Sequence, residues 1–159
     1  MARIETILII QKGNKIILGL KNPEKKFGNK WNGFGGGLES GETLEEAAIR
    51  ETLEETGAAP KDLTKRGIIL FEFESDEQDH EVHIFRAGDY EGKLTPSEDF
   101  SEYREFSETD LVGVYPQMMP ADRHWLPLFI QRKLFRGEVK FDKKFKNPEV
   151  NIYEVESLN

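Results

Sequence analysis

The 159-residue chain contains no cysteine. This absence excludes disulfide bonds, thiolate metal sites and cysteine nucleophiles, and it fits a reducing, cytoplasmic compartment. No apolar run approaches the roughly 20 residues that a membrane-spanning helix needs, and the first residues lack the basic segment and apolar core of a signal peptide. We therefore expect a soluble protein without a membrane anchor.

Positive charge is also scarce. The chain has 22 Lys and Arg against 30 Asp and Glu, which gives a formal net charge of -8. This balance argues against general affinity for nucleic acid or for an anionic membrane. If the ligand is a polyphosphate, metal ions must supply much of the attraction, with help from the local basic group Lys21, Lys25, Lys26 and Lys30.

The residues that are present indicate one folded domain over residues 1–159. This length can bury a core, and 37% of the residues are hydrophobic, with eleven Phe in the chain. Thr43 and Glu46 match a capping box, and Gly57 has the character of a helix end, so a helix is predicted over residues 44–56. Alternating and β-branched residues predict strands at residues 3–11, 15–20, 67–73, 81–86, 139–142 and 150–155.

The remaining segments complete a mixed α/β domain, with two main helices on a strongly twisted sheet. A second helix is predicted to begin at residues 120–122 and to end at Gly137. Its apolar positions are Trp125, Leu128, Phe129 and Leu134. Residues 58–60 indicate a break and residues 88–110 an irregular polar loop. Residues 31–37 are too rich in glycine for an ordinary strand interior, which indicates close approach of the backbone to another group.

The first helix carries a cluster of glutamates. At 3.6 residues per turn, Glu51, Glu54 and Glu55 fall within an arc of about 100°. The opposite side, which we expect to pack on the core, holds Leu44, Ala48, Ile49 and Leu53. Like charges at this spacing repel by a few tenths of a kcal/mol per pair, and Mg²⁺ shared with substrate phosphates offsets such repulsion. The alternative is a solvated acidic helix face.

This stretch resembles the Nudix box. The positions that match, at the spacing of the box, are Gly36, Glu42, Arg50, Glu51, Glu54, Glu55 and Gly57. The resemblance implies an α/β/α sandwich with a mixed, twisted sheet, and hydrolysis of a nucleoside diphosphate linked to another group. It also implies that Arg50 pairs with a box carboxylate such as Glu42 and holds its geometry. Thr52 occupies a position that is usually apolar in the family.

The Nudix resemblance further implies a metal site. In the family, box glutamates bind Mg²⁺ or Mn²⁺ together with a backbone carbonyl at the glycine, with Glu54 here as a ligand or as the base that orients water. The catalytic candidates are Arg50, Glu51, Glu54 and Glu55, and the metal-binding candidates are Gly36, Glu51, Glu54, Glu55 and Asp99. Asp99 lies outside the box, where Glu98 and Glu102 compete with it, and a plain polar loop is the other interpretation.

Most of the chain is similar to the MutT-like enzymes that hydrolyse oxidised purine nucleoside triphosphates. The segments that carry this similarity are residues 30–36, 71–73, 120–125 and 140–141. In that subfamily an asparagine before the box and acidic residues in a later loop clamp the base. The substrate-binding candidates implied here are Thr6, Lys21, Phe27, Asn32, Phe71, Met119, Asp122 and Trp125. Met119 replaces a stacking aromatic residue and Ala121 replaces a second acidic residue. For His80 a surface or structural role is favoured, with a position facing the base pocket as the alternative.

These patterns lead to one main prediction and two alternatives. The main prediction is a Mg²⁺-dependent hydrolase, with Mn²⁺ as a second metal, that converts oxidised purine nucleoside triphosphates such as 8-oxo-dGTP to monophosphate and pyrophosphate, as a monomer or homodimer. The first alternative is a Nudix hydrolase of a nucleotide sugar or a dinucleoside polyphosphate. The second is a catalytically silent nucleotide-binding domain, against which the complete set of box residues argues.

Overall fold

The computed structural model describes residues 1–144 and 147–159. In this part of the chain nine strands form one mixed sheet, and no helix is both long and apolar enough to cross a membrane. The strands are β1 (Arg3–Lys12), β2 (Lys15–Lys21), β3 (Trp31–Asn32), β4 (Phe34–Gly37), β5 (Ala58–Phe73), β6 (His80–Gly92), β7 (Phe100–Phe106), β8 (Leu134–Phe141) and β9 (Glu149–Val155). The helices are α1 (Leu44–Thr56), α2 (Glu108–Val114), a short 3-10 helix (Tyr115–Gln117) and α3 (Asp122–Ile130).

Strand β1 lies in the middle of the sheet. The strand order is β3-β2-β1-β6-β5-β8-β9, with β4 paired to β1 and β7 paired to β2. Strand β1 runs parallel to β6 over residues 3–10 and antiparallel to β4 over residues 5–8. The β5 and β8 pair is also parallel, and the remaining pairs are antiparallel. Residues 5–8 are therefore held between the glycine-rich strand and β6.

The alternation of side chains along the strands separates two cores. Ile9 packs in a cluster with Trp125 of α3, whereas its neighbours Leu8 and Ile10 pack in a second cluster with Ala48 of α1. The sheet thus has α1 on one face and α3 on the other. This arrangement confirms the α/β/α sandwich with a mixed sheet.

Helix α1 begins and ends at the predicted residues. The Thr43 hydroxyl accepts a hydrogen bond of 3.1 Å from the Glu46 backbone N–H, and Gly57 has a φ of 80° and donates its N–H to the Leu53 carbonyl. The second hydrogen bond of the predicted capping box, made by the Glu46 side chain, differs from the standard motif. The Glu46 carboxylate accepts from the Thr43 hydroxyl, not from the Thr43 backbone.

The predicted core face of α1 is partly wrong. Ile49 and Leu53 are 38% and 48% exposed, whereas Thr52 and Thr56 are buried. Each threonine hydroxyl donates to a carbonyl one turn earlier, Thr52 to Ala48 at 2.8 Å and Thr56 to Thr52 at 2.7 Å. Because their polar atoms are paired inside the helix, these small residues are buried without an unsatisfied group.

Three other predicted boundaries are wrong. Residues 58–60 do not break the chain, because they continue β5 against β6. Residues 88–110 are not an irregular loop: β6 runs to Gly92, β7 pairs with β2, and α2 adds a third helix. Helix α3 ends at Ile130, and Gly137 lies in β8, where an added Cβ would come within 2.5 Å of the Asn151 carbonyl oxygen.

The glycine-rich run at residues 31–37 forms strands β3 and β4, contrary to the expectation from its composition. The predicted close approach is nevertheless present. A Cβ added at Gly35 would lie 1.8 Å from the Thr6 carbonyl oxygen, and one added at Gly36 would lie 2.8 Å from the Glu51 carboxylate. Only residues without side chains can follow β1 and α1 this closely.

Candidate active site

Glu55 is the buried carboxyl group of α1, with 7% of its surface exposed. Its Oε1 accepts a hydrogen bond of 2.8 Å from the Gly35 backbone N–H. Burial raises the pKa of Glu55 to about 8, and the negative charges of Asp99 and Glu51 raise it further, whereas the Gly35 hydrogen bond and the charge of Lys21 oppose this shift. Glu55 therefore holds a proton at neutral pH until a cation compensates its charge.

Arg50 joins the loop before α1 to the helix itself. Its Nε and Nη2 donate to the two carboxylate oxygens of Glu42 at 2.6 and 2.9 Å, and Nη2 also donates to the Gly37 carbonyl at 3.1 Å. Its Nη1 donates to Glu51 at 2.9 Å and to Glu54 at 3.3 Å. The predicted pairing of Arg50 with Glu42 is confirmed, and the Arg50 hydrogen bonds hold the pKa of Glu42 below its ordinary value.

The carboxylates of α1 are held apart from one another. Among the described residues, no group of three or more His, Asp and Glu side chains is gathered closely enough to hold a metal ion. Arg50 engages Glu51 and Glu54, and the Gly35 amide engages Glu55. The three predicted carboxylate ligands therefore share one side of α1 without being preassembled into a cage.

The residues nevertheless fit a hard divalent cation. Gly36 leaves open the space beside the Glu51 carboxylate, since a Cβ there would approach its oxygens to 2.9 Å. The donors are carboxylate and carbonyl oxygens, which Mg²⁺ and similar cations prefer. Glu51 and Asp99 both add negative charge near Glu55, and a bound dication would offset that charge. Gly36, Glu51, Glu54 and Glu55 would hold it.

The loop that carries Asp99 is tied to the C-terminal part of α1. The Ser97 hydroxyl donates to the Glu55 backbone carbonyl at 2.7 Å and accepts from the Asp99 backbone N–H at 3.1 Å. The Asp99 carboxylate lies 3.8 Å from Lys25. Asp99 therefore lies close enough to Glu55 for its charge to raise the pKa of that group, while the Glu98 side chain is 88% exposed. The role of Asp99 as a metal ligand stays a prediction.

A cavity of about 520 Å³ opens beside these carboxylates. Gly35, Gly36 and Glu55 line one end of it, and Lys21 lies in the same wall. Its aromatic walls are Phe27, Trp31, Phe71, Phe73, Trp125 and Phe141. Phe141 stacks on both Phe71 and Phe73, with interplanar angles of 15° and 11°. The cavity thus joins acidic groups at one end to flat apolar surfaces suited to a planar ring.

Polar groups are placed among the aromatic walls. Asn32 and Asp122 both line the cavity, together with Met119 and the buried Trp125. The Asn32 amide donates to the Lys30 carbonyl at 3.3 Å. Burial raises the pKa of Asp122 to about 7, so this carboxyl group changes between donor and acceptor near neutral pH. The structure brings all four of these predicted residues to one cavity.

The remaining sequence-predicted residues divide into two groups. Thr6, Lys21, Phe27 and Phe71 line the cavity, and the buried Thr6 hydroxyl has no hydrogen-bond partner within the described residues. The residues that lie outside the cavity wall are Arg50, Glu51, Glu54 and Asp99. Of the three helix glutamates, Glu54 is the most open to solvent, with 60% of its side chain exposed.

Comparison with known proteins identifies this arrangement. The family profile described as the NUDIX domain matches residues 2–129, which contain the helix carboxylates, Arg50 and the cavity strands β1 to β6. The chain belongs to the NUDIX family. It is 39% identical over 158 residues to the oxidized purine nucleoside triphosphate hydrolase of Danio rerio and 35% identical over 158 residues to that of Mus musculus. In each case the match covers 99% of this chain and 98% of the relative.

Solved NUDIX structures share the fold. The MutT protein from Bacillus halodurans superposes with a TM-score of 0.78 at 20% identity, covering 98% of this chain and 99% of that one. As a NUDIX hydrolase the protein uses a divalent metal ion, which agrees with the oxygen donors beside Gly36. The similarity in fold extends beyond the box to the whole sheet.

Several cavity residues were missed by the sequence-based candidates. Glu5 of β1 and Phe73 of β5 line the NUDIX cavity, and the alternation of the strands provides a signal for both. Glu5 shares the strand face of Ile7 and Ile9, which also line the cavity. Strand alternation predicts these residues as cavity residues only when it is also known which face of the sheet borders the cavity.

Proposed function

We propose that this protein is a Mg²⁺-dependent nucleoside triphosphate pyrophosphohydrolase that acts on oxidised purine nucleotides and releases monophosphate and pyrophosphate. The single observation that carries the proposal is the cavity itself. It joins the base-sized aromatic pocket with Asn32 and Asp122 to the carboxylate end at Gly36 and Glu55. One small nucleotide can therefore contact both ends at once.

The base pocket supports a purine. Phe71 and Phe141 present parallel faces, and aromatic faces stack on flat heterocycles. Asn32 can both donate and accept a hydrogen bond, and Asp122 can do either according to its protonation. Two relatives matched over nearly their full length are named as hydrolases of oxidized purine nucleoside triphosphates, which supports the same substrate class here.

The polyphosphate end supports hydrolysis. Lys21 lines the cavity near Glu55 and supplies positive charge for phosphate oxygens. Arg50 fixes Glu51 and Glu54 relative to the loop, and Gly35 fixes one oxygen of Glu55. The other Glu55 oxygen has no hydrogen-bond donor among the described residues and can accept a proton or a cation. A divalent ion held by these carboxylates would activate water for attack and would shield phosphate oxygens.

A release assay tests the reaction. Pyrophosphate and orthophosphate are measured with 8-oxo-dGTP, 2-hydroxy-dATP, dGTP, dATP and a nucleotide sugar, in Mg²⁺, in Mn²⁺ and with chelator. We expect pyrophosphate from the oxidised nucleotides, higher turnover in Mg²⁺, and none with chelator. Preferred turnover of the nucleotide sugar would overturn the substrate assignment.

Helix variants test whether the domain is catalytic. Glu54→Gln and Glu55→Gln should each abolish most pyrophosphate release, while Glu45→Gln, on the same helix but outside the site, should keep normal turnover. Circular dichroism checks that the variants fold. Near-normal turnover in both site variants would overturn the catalytic assignment of these glutamates, whereas a silent binding domain would release no pyrophosphate even as the wild-type protein.

Asn32→Ala tests base recognition. Because Asn32 lies in the base pocket and not at the carboxylate end, its loss should lower kcat/KM for 8-oxo-dGTP far more than for a nucleotide sugar. Equal effects on both substrates would instead support a hydrolase of another nucleoside diphosphate derivative.

A further inference from the structure

Glu5 and His80 form a polar pair on the wall of the cavity. The Glu5 Oε1 lies 2.5 Å from the His80 Nδ1, and the two side chains are 20% and 29% exposed. Both residues line the cavity. They lie on neighbouring parallel strands, β1 and β6, with Glu5 opposite Val82 and His80 opposite Arg3. The contact is therefore a diagonal one across the strand pair.

The orientation of the His80 ring is held from two sides. Its Nδ1 is fixed by Glu5, and the ring lies 5.5 Å from Phe73 in an edge arrangement with an interplanar angle of 67°. The second oxygen of Glu5 lies 3.6 Å from the Arg3 Nε. Among the described residues, Glu5 at Nδ1 is the one hydrogen-bond or ion-pair partner of the His80 ring nitrogens. Nε2 is therefore unpaired, on a residue that lines the cavity.

The tautomer of neutral His80 follows from this contact. A carboxylate only accepts hydrogen bonds, so Nδ1 must carry the hydrogen, and Nε2 of the neutral ring is then an acceptor. Nε2 therefore binds a ligand atom that donates a hydrogen bond. In an unoxidised purine N7 is itself an acceptor, whereas an 8-oxopurine carries a hydrogen on N7. In this neutral form, Nε2 of His80 thus favours the oxidised base and opposes the ordinary one.

Asn32 and His80 both line the cavity. A base that fills the cavity can therefore contact both side chains. In a guanine, N7 lies on the five-membered ring, away from N1 and the 2-amino group of the pyrimidine ring.

We propose that His80 is a specificity-determining residue, positioned by Glu5, that accepts a hydrogen bond from N7–H of an 8-oxopurine. The proposal rests on the proposed function and adds the means by which the oxidised base is told from its parent. Glu5 acts through His80 as a positioning residue. Sites built to hydrogen-bond one ligand discriminate against an analogue that leaves the polar group unpaired.

His80→Phe tests the proposal, since it keeps an aromatic ring beside Phe73 but removes the acceptor. At pH 8.5 we expect the ratio of kcat/KM for 8-oxo-dGTP to that for dGTP to fall about tenfold, mainly through KM. Turnover of 2-hydroxy-dATP, whose added oxygen is at C2 and whose N7 is unprotonated, should not fall. His124→Phe, on the exposed surface of α3, should change neither this ratio nor the turnover of 2-hydroxy-dATP.

Binding provides a readout that needs no catalysis. The Kd of 8-oxo-dGMP, measured calorimetrically without metal, should rise about tenfold in His80→Phe, whereas that of dGMP should not rise. His80→Gln, which retains an acceptor oxygen, should recover part of the preference. Glu5→Ala should lose part of it, while Glu5→Gln, whose amide oxygen still accepts from Nδ1, should keep it.

The outcomes separate this inference from the proposed function. Failure of the wild-type protein to prefer 8-oxo-dGTP over dGTP would overturn both. A wild-type preference that survives unchanged in His80→Phe would overturn only the role of His80. An equal fall in kcat/KM for 8-oxo-dGTP and 2-hydroxy-dATP in His80→Phe would show that the ring only packs in the cavity. It would also overturn the proposed hydrogen bond with N7–H.

Discussion

The backbone N–H of Gly35 donates a hydrogen bond of 2.8 Å to the carboxylate of Glu55, which is otherwise buried beneath the end of α1. This hydrogen bond joins β4 to α1, but it is too weak to keep the carboxylate ionised. Burial raises the pKa of Glu55 to about 8. Because the folded value exceeds that of an unfolded Glu, the stability that Glu55 contributes is fully present below about pH 4.5 and is lost as the pH rises through 8.

We therefore expect Glu55→Gln to raise the stability of the metal-free protein at alkaline pH. Gln keeps an oxygen for the Gly35 N–H but cannot ionise. The two proteins should melt alike near pH 5, and the variant should gain roughly 1 to 4 kcal/mol at pH 8.5, several degrees in Tm. Thermal melts in chelator measure this. A difference that does not vary with pH would contradict the buried-acid account.

Glu42→Gln should reduce activity without unfolding the protein. Glu42 binds two nitrogens of Arg50, which in turn holds Glu51. A neutral amide cannot accept both charge-assisted bonds, so the orientation of Arg50 relaxes, and we expect turnover to fall about 10- to 100-fold. Glu45→Gln on the same helix is the matched control. Steady-state assays across metal concentrations measure the loss, and an unchanged kcat and metal requirement would exclude this role for Glu42.

Gly36→Ala should damage the carboxylate site through its shape alone. The added Cβ would meet the Glu51 carboxylate at 2.8 to 2.9 Å, so the carboxylate must move from the position that Arg50 gives it. We expect at least about a tenfold loss of metal affinity or of kcat, by the usual sensitivity of sites to displacements near 1 Å.

Gly113→Ala is the control for this variant. Gly113 lies in α2 with open space around its Cα, so the change adds a methyl group that meets nothing. It should raise stability by about 0.4 to 1 kcal/mol and leave activity alone. If Gly36→Ala keeps the metal affinity and kcat of the wild type, as Gly113→Ala should, the close approach of Gly36 to Glu51 has no role in catalysis.

Asp122 should make nucleotide binding depend on pH near neutrality. Burial raises its pKa to about 7, so its carboxyl group is a donor below that pH and an acceptor above it. The amide edge of an oxidised guanine offers two donors, so affinity for 8-oxo-dGMP should rise from pH 6 to pH 8, by up to about tenfold. Asp122→Asn should flatten this profile. A profile that stays steep in the variant would assign the titration to another group.

The local features of α1 could be predicted because they depend on neighbouring residues. The Thr43 cap and the Gly57 end follow from chemistry within one turn, and the contact of Arg50 with Glu42 is what the resemblance to the Nudix box implies. The buried face of α1 could not be predicted in this way. Thr52 and Thr56 replace Ile49 and Leu53 against the sheet, because their hydroxyls are satisfied inside the helix and the small side chains let α1 lie close to it.

Long-range pairing explains the other differences. Residues 100–106 look polar, yet they form β7 because β2 offers a free edge for them. Gly137 resembles a helix end by type, yet it lies in β8 where a Cβ would meet the backbone of β9. The cavity is a property of the same kind. Its walls come from strands β1 to β6, from β8 and from helices α1 and α3, so no single stretch of sequence predicts it.

The glycine run also has a consequence for where a nucleotide is cut. Asn32 in the pocket and Gly36 beside the carboxylates are four residues apart on nearly continuous extended backbone, a separation of roughly 13 Å at the usual rise of a strand. Under the proposed function, this run would set the distance between the base and the reacting phosphorus. The bond that is broken would then be chosen by its distance from the base, and the length of the phosphate chain beyond it would not enter the choice.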